Sequence, residues 1–112
     1  MARTPRNYAA DTQLSTTVAD IIPAVPISVT VTIKKLSFYN SGTSTREVTV
    51  HLVEASGTAD TGNTLAVKSI PKGKTWRVSE VQGEVMETGM KLQASQDAGT
   101  DINANCSADD IT

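Results

Sequence analysis

Few side chains in the sequence could do chemistry, and they lie far apart. His51 is the only histidine, and no second histidine or cysteine stands near it in the sequence to complete a metal site. A hydrolytic triad also needs a nucleophile, and the sequence has no nucleophile-elbow motif around which one could form. We therefore interpret His51 as a solvated or rim histidine of a strand, and we expect no catalytic residue and no enzymatic activity.

One short segment is rich in oxygen-bearing side chains. Asp97, Asp101 and Asn103 in "DAGTDIN" could supply the hard oxygen ligands that calcium prefers. Their spacing differs from that of an EF-hand loop, so an ordinary loop is the simpler interpretation. The single cysteine, Cys106, can form neither an intrachain disulfide nor a cysteine-rich zinc site, and we interpret it as a buried thiol. The sequence thus predicts no metal and no cofactor.

Charge and hydropathy argue against two classes of partner. Ten basic and twelve acidic residues give a net charge of −2, so no overall field attracts nucleic acid or an anionic membrane. No apolar run approaches the ~20 residues that span a bilayer, and the N-terminus lacks the apolar core of a signal peptide. We expect neither nucleic acid nor a membrane as a partner, and we expect synthesis in a reducing cytoplasm.

The segments that must position these residues have the residue pattern of β-strands. The run from Ile27 to Ile33 alternates apolar and polar residues with a period of two. The apolar phase then shifts by one residue to Leu36 and Phe38, across Lys34 and Lys35, as it does at a β-bulge. Roughly seven or eight such strands, separated by glycine-containing and proline-containing turns, predict a single antiparallel β-sandwich, jelly-roll-like. No segment has the helical period, so we expect an all-β fold with under about a tenth of the residues in helices.

The apolar positions of these strands define the expected core. Aromatic residues are only 4% of the chain, so the core must be mostly aliphatic, with Phe38 and Trp76 as large anchors. A domain of this length buries roughly two-thirds of its unfolded surface, which is enough for one modest core. The residues expected inside are Ile27, Val29, Val31, Val48, Val50, Leu52, Leu65, Val67, Trp76, Val78, Leu92 and Ile102.

The first residues of the chain differ from the rest in composition. Residues 1–11 have too few apolar side chains to form a core of their own. We expect an extended N-terminal arm over residues 1–11 and a β-sandwich domain over residues 12–112. The arm is either a mobile tail without a role or a segment that orders on a neighbouring subunit. In the second case Arg3, Arg6 and Tyr8 are the partner-binding residues.

Several segments carry a resemblance to a known group of proteins. They are "KLSFYNSG", "REVTVHLVEASGTA", "NTLAVKSIPKGKTWRV", "EVQGEVMETGMKLQASQDA" and the closing "IT". Their succession resembles small virion structural proteins of tailed bacteriophages, over most of the chain from Thr12 to Thr112. Those proteins are single β-sandwich domains, similar to the cement or staple proteins of short-tailed phage capsids, and related sequences also occur in collars and tails. The motifs are strand and turn patterns and mark no catalytic group.

The resemblance implies a role in a virion. It implies a capsid cement or decoration subunit that self-associates as a homo-oligomer, bridges major capsid proteins, and is made in the host cytoplasm before it joins the virion. Two alternatives stay open: a collar, tail or fibre component, and a carbohydrate-binding β-sandwich module. A carbohydrate site would need exposed aromatic rings, and Phe38 and Trp76 stand at expected core positions.

Overall fold

In the structure, a computed structural model that describes residues 2–112, nine strands form two antiparallel sheets. The strands are β1 (Arg3–Gln13), β2 (Ala19–Ile22), β3 (Thr30–Asn40), β4 (Arg46–Val53), β5 (Thr64–Ile70), β6 (Thr75–Arg77), β7 (Val85–Met86), β8 (Lys91–Gln96) and β9 (Ile102–Ile111). Two single turns of 3-10 helix, Thr61–Asn63 and Ser79–Val81, are the helical segments of this part of the chain. None of its helices is long and apolar enough to cross a membrane.

The strand order is that of a jelly roll. The five-stranded sheet has the order β1-β9-β3-β6, with β7 also paired to β3, and the four-stranded sheet has the order β2-β8-β4-β5. The chain changes sheets at each connection from β1 to β4, and β6 and β7 together occupy the edge beside β3. Two facing sheets wound in this way are a double Greek key. The predicted antiparallel, jelly-roll-like β-sandwich is confirmed.

The two sheets enclose one core that is mostly aliphatic. Its aromatic anchors are those expected, because Phe38 and Trp76 pack on each other with ring centroids 5.8 Å apart. Most expected core residues are inside as well. Val31, Val48, Val50, Trp76, Val78, Leu92 and Ile102 are buried, and Val29, Leu52 and Leu65 are partly buried against the core.

Two of the expected core residues are outside, for different reasons. Ile27 is 82% exposed because it precedes Ser28, whose φ of 65° turns the chain before β3 begins. Val67 is 51% exposed because the pairing of β4 with β5 shifts register at Leu65. A shift of one residue exchanges the two faces of a strand. The buried side chains of β5 are therefore Ala66 and Ile70, and Leu65 packs on the core only in part.

The bulge predicted in β3 is present. The pairing of β3 with β9 shifts register between Ile33 and Lys35. The extra residue, Lys34, lets Ile33 before it and Leu36 after it both face the core. Both lysines consequently lie on the solvent side of the sheet.

The expected N-terminal arm is a strand of the sandwich. Residues 3–13 form β1, which pairs with β9 and runs across the expected boundary between residues 11 and 12. Met1 lies outside the described residues. The physical reason is that the edge of β9 offers backbone groups that need partners, and β1 supplies them without apolar side chains. Side-chain burial, on which the expectation of a separate arm rests, does not indicate such a backbone pairing.

A proline marks β1 as an edge strand. Ala2 and Thr112 exchange both of their backbone hydrogen bonds, of 3.0 and 2.9 Å. Because hydrogen-bonded and non-hydrogen-bonded pairs alternate, the backbone of Pro5 faces away from β9. A residue without an N–H group costs no ladder hydrogen bond at that position.

Candidate functional site

Arg3, a predicted partner-binding residue, forms an ion pair within the chain. Its Nη1 lies 3.0 Å from Oδ2 of Asp109 on β9. Nζ of Lys34 lies 3.7 Å from the other oxygen of this carboxylate, Oδ1. Oδ1 accepts no hydrogen bond within the described residues, whereas Oδ2 accepts one from Arg3. The Asp109 side chain is 6% exposed, whereas that of Arg3 is 63% exposed. Two exposed cations thus cover one buried carboxylate on the outer face of the five-stranded sheet, the face turned away from the other sheet.

Arg6 and Tyr8, the other two predicted residues, meet Asp110 on the opposite face. The Tyr8 hydroxyl donates a hydrogen bond to Oδ1 of Asp110, and Nη1 of Arg6 lies 3.3 Å from Oδ2. The Arg6 guanidinium stands over the Tyr8 ring, 4.8 Å from its centre. Burial, together with the hydrogen bond to Asp110, raises the pKa of Tyr8 to about 12. The hydrogen bond to Asp110 also raises the pKa of Arg6. The structure therefore brings Arg6 and Tyr8 together and places Arg3 on the other side of β1.

The strand that carries these residues contributes little to the core. Ala9 is the one buried residue of β1, and Tyr8 is half-buried. The core proper starts at Leu14, which is 3% exposed. The Leu14 N–H donates to the carbonyl of Ile102 at 2.8 Å, and its carbonyl accepts from Nε2 of Gln96 at 2.7 Å. β1 is thus held by a backbone ladder and by two charged clusters, not by buried apolar side chains.

A basic depression lies elsewhere on the outer face of the five-stranded sheet. It has a volume of about 380 Å³. The β3 bulge places two lysines on its rim, and the pairing of Arg77 with Ser37 brings a third cation from β6. The two lysines are neighbours in the sequence, whereas Arg77 is distant from them and reaches them only because β6 lies beside β3. The depression is lined by Lys34, Lys35, Leu36, Arg77, Val78, Ser79 and Gln82.

An acidic groove lies on the outer face of the four-stranded sheet. It has a volume of about 540 Å³. One wall is the loop after β4, whose 3-10 turn is capped by Asp60 through Oδ1, which accepts from the N–H groups of Gly62 and Asn63 at 2.8 and 3.1 Å. The groove is lined by Glu47, Thr49, His51, Asp60, Thr61, Thr64 and Val67.

His51, expected to be a solvated or rim residue, is 7% exposed under this loop. Its Nδ1 lies 3.1 Å from Oδ1 of Asn63. The Asn63 amide is oriented by its other hydrogen bonds, because Nδ2 donates to the carbonyl of Thr58 and Oδ1 accepts from the N–H of Asp60. An oxygen facing the ring requires a donor, so Nδ1 carries the proton. His51 therefore holds the loop in place on β4.

The oxygen-rich segment behaves as the ordinary loop expected from its spacing. Oδ1 of Asp97 accepts from the N–H of Glu47 at 3.0 Å, and Oδ2 of Asp101 accepts from Nε of Arg46 at 2.9 Å. Asn103 lies in β9 opposite Gln13. Within residues 2–112, no group of histidine, cysteine and acidic side chains has a geometry that could hold a metal ion.

The remaining candidates are a thiol and one aromatic ring. Cys106 is buried, as expected, and burial raises the pKa of its thiol to about 12. Tyr39 is 41% exposed, whereas Phe38 and Trp76 lie in the core. Of these three rings, only that of Tyr39 is exposed enough to stack on a sugar.

Comparisons with known proteins report a likeness of fold. No family model matches the chain, and no curated protein matches it either. A structure of Bacillus endospore appendages, described as a novel family of disulfide-linked pili, matches with a TM-score of 0.58 at 14% identity, over 98% of this chain and 88% of that one. Structures of infectious bursal disease virus also match. The Gx strain has a TM-score of 0.48 at 16% identity, over 97% of this chain and 31% of that one. The VP2 subviral particle has a TM-score of 0.42 at 14% identity, over 97% and 32%. The appendage structure shares the fold, and the viral matches are too distant to add to it.

Proposed function

We propose that the protein is a structural subunit of a virion, and specifically a capsid cement or decoration protein that self-associates and bridges major capsid proteins. The observation that carries the proposal is the attachment of β1. An eleven-residue edge strand that buries one alanine presents most of its side chains to a neighbour on both faces. A strand of this kind suits contacts between subunits better than it suits a core.

The three predicted partner-binding residues remain suited to that role despite their contacts within the chain. The side chains of Arg3 and Arg6 are 63% and 59% exposed. A guanidinium carries five N–H donors, so an arginine that binds one carboxylate oxygen retains donors for a second acceptor. Arginine and tyrosine are also enriched among the residues that contribute most to interfaces. Asp109 and Asp110 then orient these side chains, and a partner subunit supplies the further acceptors.

The fold shared with the appendage structure supports a role in an assembly. That structure is described as disulfide-linked, whereas the thiol of Cys106, the one cysteine of this chain, is buried. We therefore assign the subunit contacts of this protein to non-covalent surfaces. Weak contacts repeated over many copies can hold firmly through multivalency.

The test is to load purified protein onto virion shells that lack it, and to measure occupancy and the temperature at which the shells rupture. Saturable binding at lattice positions with a raised rupture temperature is the expected result. A variant with Arg3→Gln and Arg6→Gln should bind more weakly, and a variant with Lys72→Gln and Lys74→Gln in the β5–β6 turn is the control of equal charge change. Binding at a single vertex would favour the collar or tail alternative. An absence of binding together with affinity for sugars would overturn the proposal in favour of the carbohydrate-binding module.

A further inference from the structure

The two outer faces of the sandwich carry opposite charge. Strand register assigns each side chain to a face, because paired residues share one. On the outer face of the five-stranded sheet cations outnumber carboxylates, and on that of the four-stranded sheet the reverse holds. The first face carries Arg3, Lys34, Lys35 and Arg77 against Asp11 and the buried Asp109, and the second carries Asp20, Glu47 and Asp60 against Lys91.

Two cations of the basic depression and two carboxylates of the acidic groove have no ion-pair partner within the described residues. Lys35 and Arg77, on the rim of the basic depression, form no ion pair and no side-chain hydrogen bond there. The Glu47 carboxylate forms no ion pair and no hydrogen bond within the described residues, where only the backbone of Glu47 bonds to Asp97. Asp60 uses one carboxylate oxygen as a cap. Opposite charges that lack partners on two faces of one molecule are complementary across copies.

Exposed apolar side chains accompany the charges on both faces. Val67 is 51% exposed in the acidic groove. On the other face, Tyr39 is 41% exposed near Arg77, and Val85 is 49% exposed opposite Thr32. A contact between the faces would thus combine apolar area with ion pairs, as protein interfaces do.

We propose that a second copy of this chain docks with its acidic groove on the basic depression, so that Lys35 and Arg77 of one copy meet Glu47 and Asp60 of the next. This inference rests on the proposed function, since it names the surfaces through which the subunit self-associates. The contact joins two different faces, so it is heterologous and repeats head to tail into rings or rows. Each copy that is added leaves one face of each kind free for another.

The test reverses the charge of each face separately. One variant carries Lys35→Glu and Arg77→Glu. The other carries Glu47→Lys and Asp60→Asn, in which asparagine keeps the cap of the 3-10 turn. In sedimentation experiments the wild type should associate at low salt and should dissociate as the salt concentration rises. At low salt, the association of each variant alone should be weaker by roughly tenfold or more. A variant with Lys72→Glu and Lys74→Glu, which has the same net charge as the first, should associate like the wild type.

Mixing the two variants gives the decisive result. One variant keeps the acidic groove and the other keeps the basic depression, so an equimolar mixture should regain association at low salt. The proposal is overturned if the wild type is monomeric at low salt, if either variant alone associates like the wild type, or if the mixture stays monomeric. A monomeric wild type that binds inorganic phosphate through Lys35 and Arg77 would overturn it in favour of a small anion.

Shell loading separates this inference from the proposed function. If shells bind the wild type but the charge-reversal variants still associate like it, the contact between the two faces is overturned and the virion role stands. If shells do not bind the wild type but the variants associate as expected, the virion role is overturned and the contact between the two faces stands.

Discussion

Asp109 and Asp110 are consecutive residues of β9, and they face opposite sides of the five-stranded sheet, where each meets a different arginine of β1. Arg3 pairs with the first and Arg6 with the second. A slip of β1 by one residue would bring each arginine to the wrong face. These two ion pairs therefore specify the register of a strand that has almost no buried side chain to specify it.

Removal of the Tyr8 hydroxyl should lower the free energy of unfolding. Tyr8→Phe removes a hydrogen bond to a partly buried carboxylate, and we expect a loss of about 1 kcal/mol in urea denaturation at neutral pH. In a double-mutant cycle with Asp110→Asn the two losses should not add, because they remove one interaction. Tyr39→Phe is the matched control, since the Tyr39 hydroxyl forms no hydrogen bond within residues 2–112. Equal losses of stability in Tyr8→Phe and Tyr39→Phe would contradict a stabilising hydrogen bond from Tyr8 to Asp110.

The same tyrosine should make stability depend on alkaline pH. The pKa of Tyr8 is raised from 10.0 to about 12 in the folded protein, so the folded state holds the phenol proton more tightly than the unfolded state does. This contribution is complete below about pH 10 and is lost as the pH rises towards 12. The denaturation midpoint of the wild type should fall more steeply over this range than that of Tyr8→Phe. Cys106, whose pKa is also raised by burial, is present in both proteins and does not affect the difference. Parallel pH profiles would contradict the prediction.

Two valines on neighbouring strands test the assignment of faces. Val50 is fully buried in β4, whereas Val67 in β5 is 51% exposed. Val50→Ala should cost on the order of 1–3 kcal/mol from lost transfer energy and the cavity left behind. Val67→Ala should change the free energy of unfolding by less than about 0.5 kcal/mol. The midpoints of chemical denaturation measure both changes. A large loss of stability in Val67→Ala would show that the Val67 side chain is buried and that the register shift does not lie at Leu65.

Two glycines with positive φ separate backbone strain from collision. Gly89 has a φ of 85°, and a Cβ there would lie 2.7 Å from Cβ of Ala55. Gly73 has a φ of 72°, with nothing within 4 Å of such a Cβ. Gly73→Ala should cost about 1 kcal/mol, which is the strain of the left-handed conformation alone. Gly89→Ala should cost clearly more, because the loops before β5 and β8 must also move apart. Similar decreases in the melting temperature of the two variants would show that the loop around Gly89 moves to accept the added methyl group at no further cost.

The predicted partner-binding residues show how far sequence reasoning reached in the candidate site. Composition alone indicated that Arg3, Arg6 and Tyr8 stand in a segment without a core of its own, and β1 does bury almost nothing. The sequence could not show that Asp109 and Asp110 meet them, because these residues are about a hundred positions away and their pairing depends on which strand lies beside β9. Their part in binding a partner stays a prediction.

The sequence by itself determined the features that follow from local alternation. The period of two and the turn residues indicated a jelly-roll-like sandwich, and the phase shift at Lys34 indicated the β3 bulge, because both are properties of neighbouring residues. Only the tertiary structure decided what depends on pairing between distant strands. The exposed face of Val67 follows from a register shift against β4. The basic depression joins Lys35 and Arg77 only because β6 lies beside β3. Strand order and register are set by contacts across the whole core, and no local pattern of residues records them.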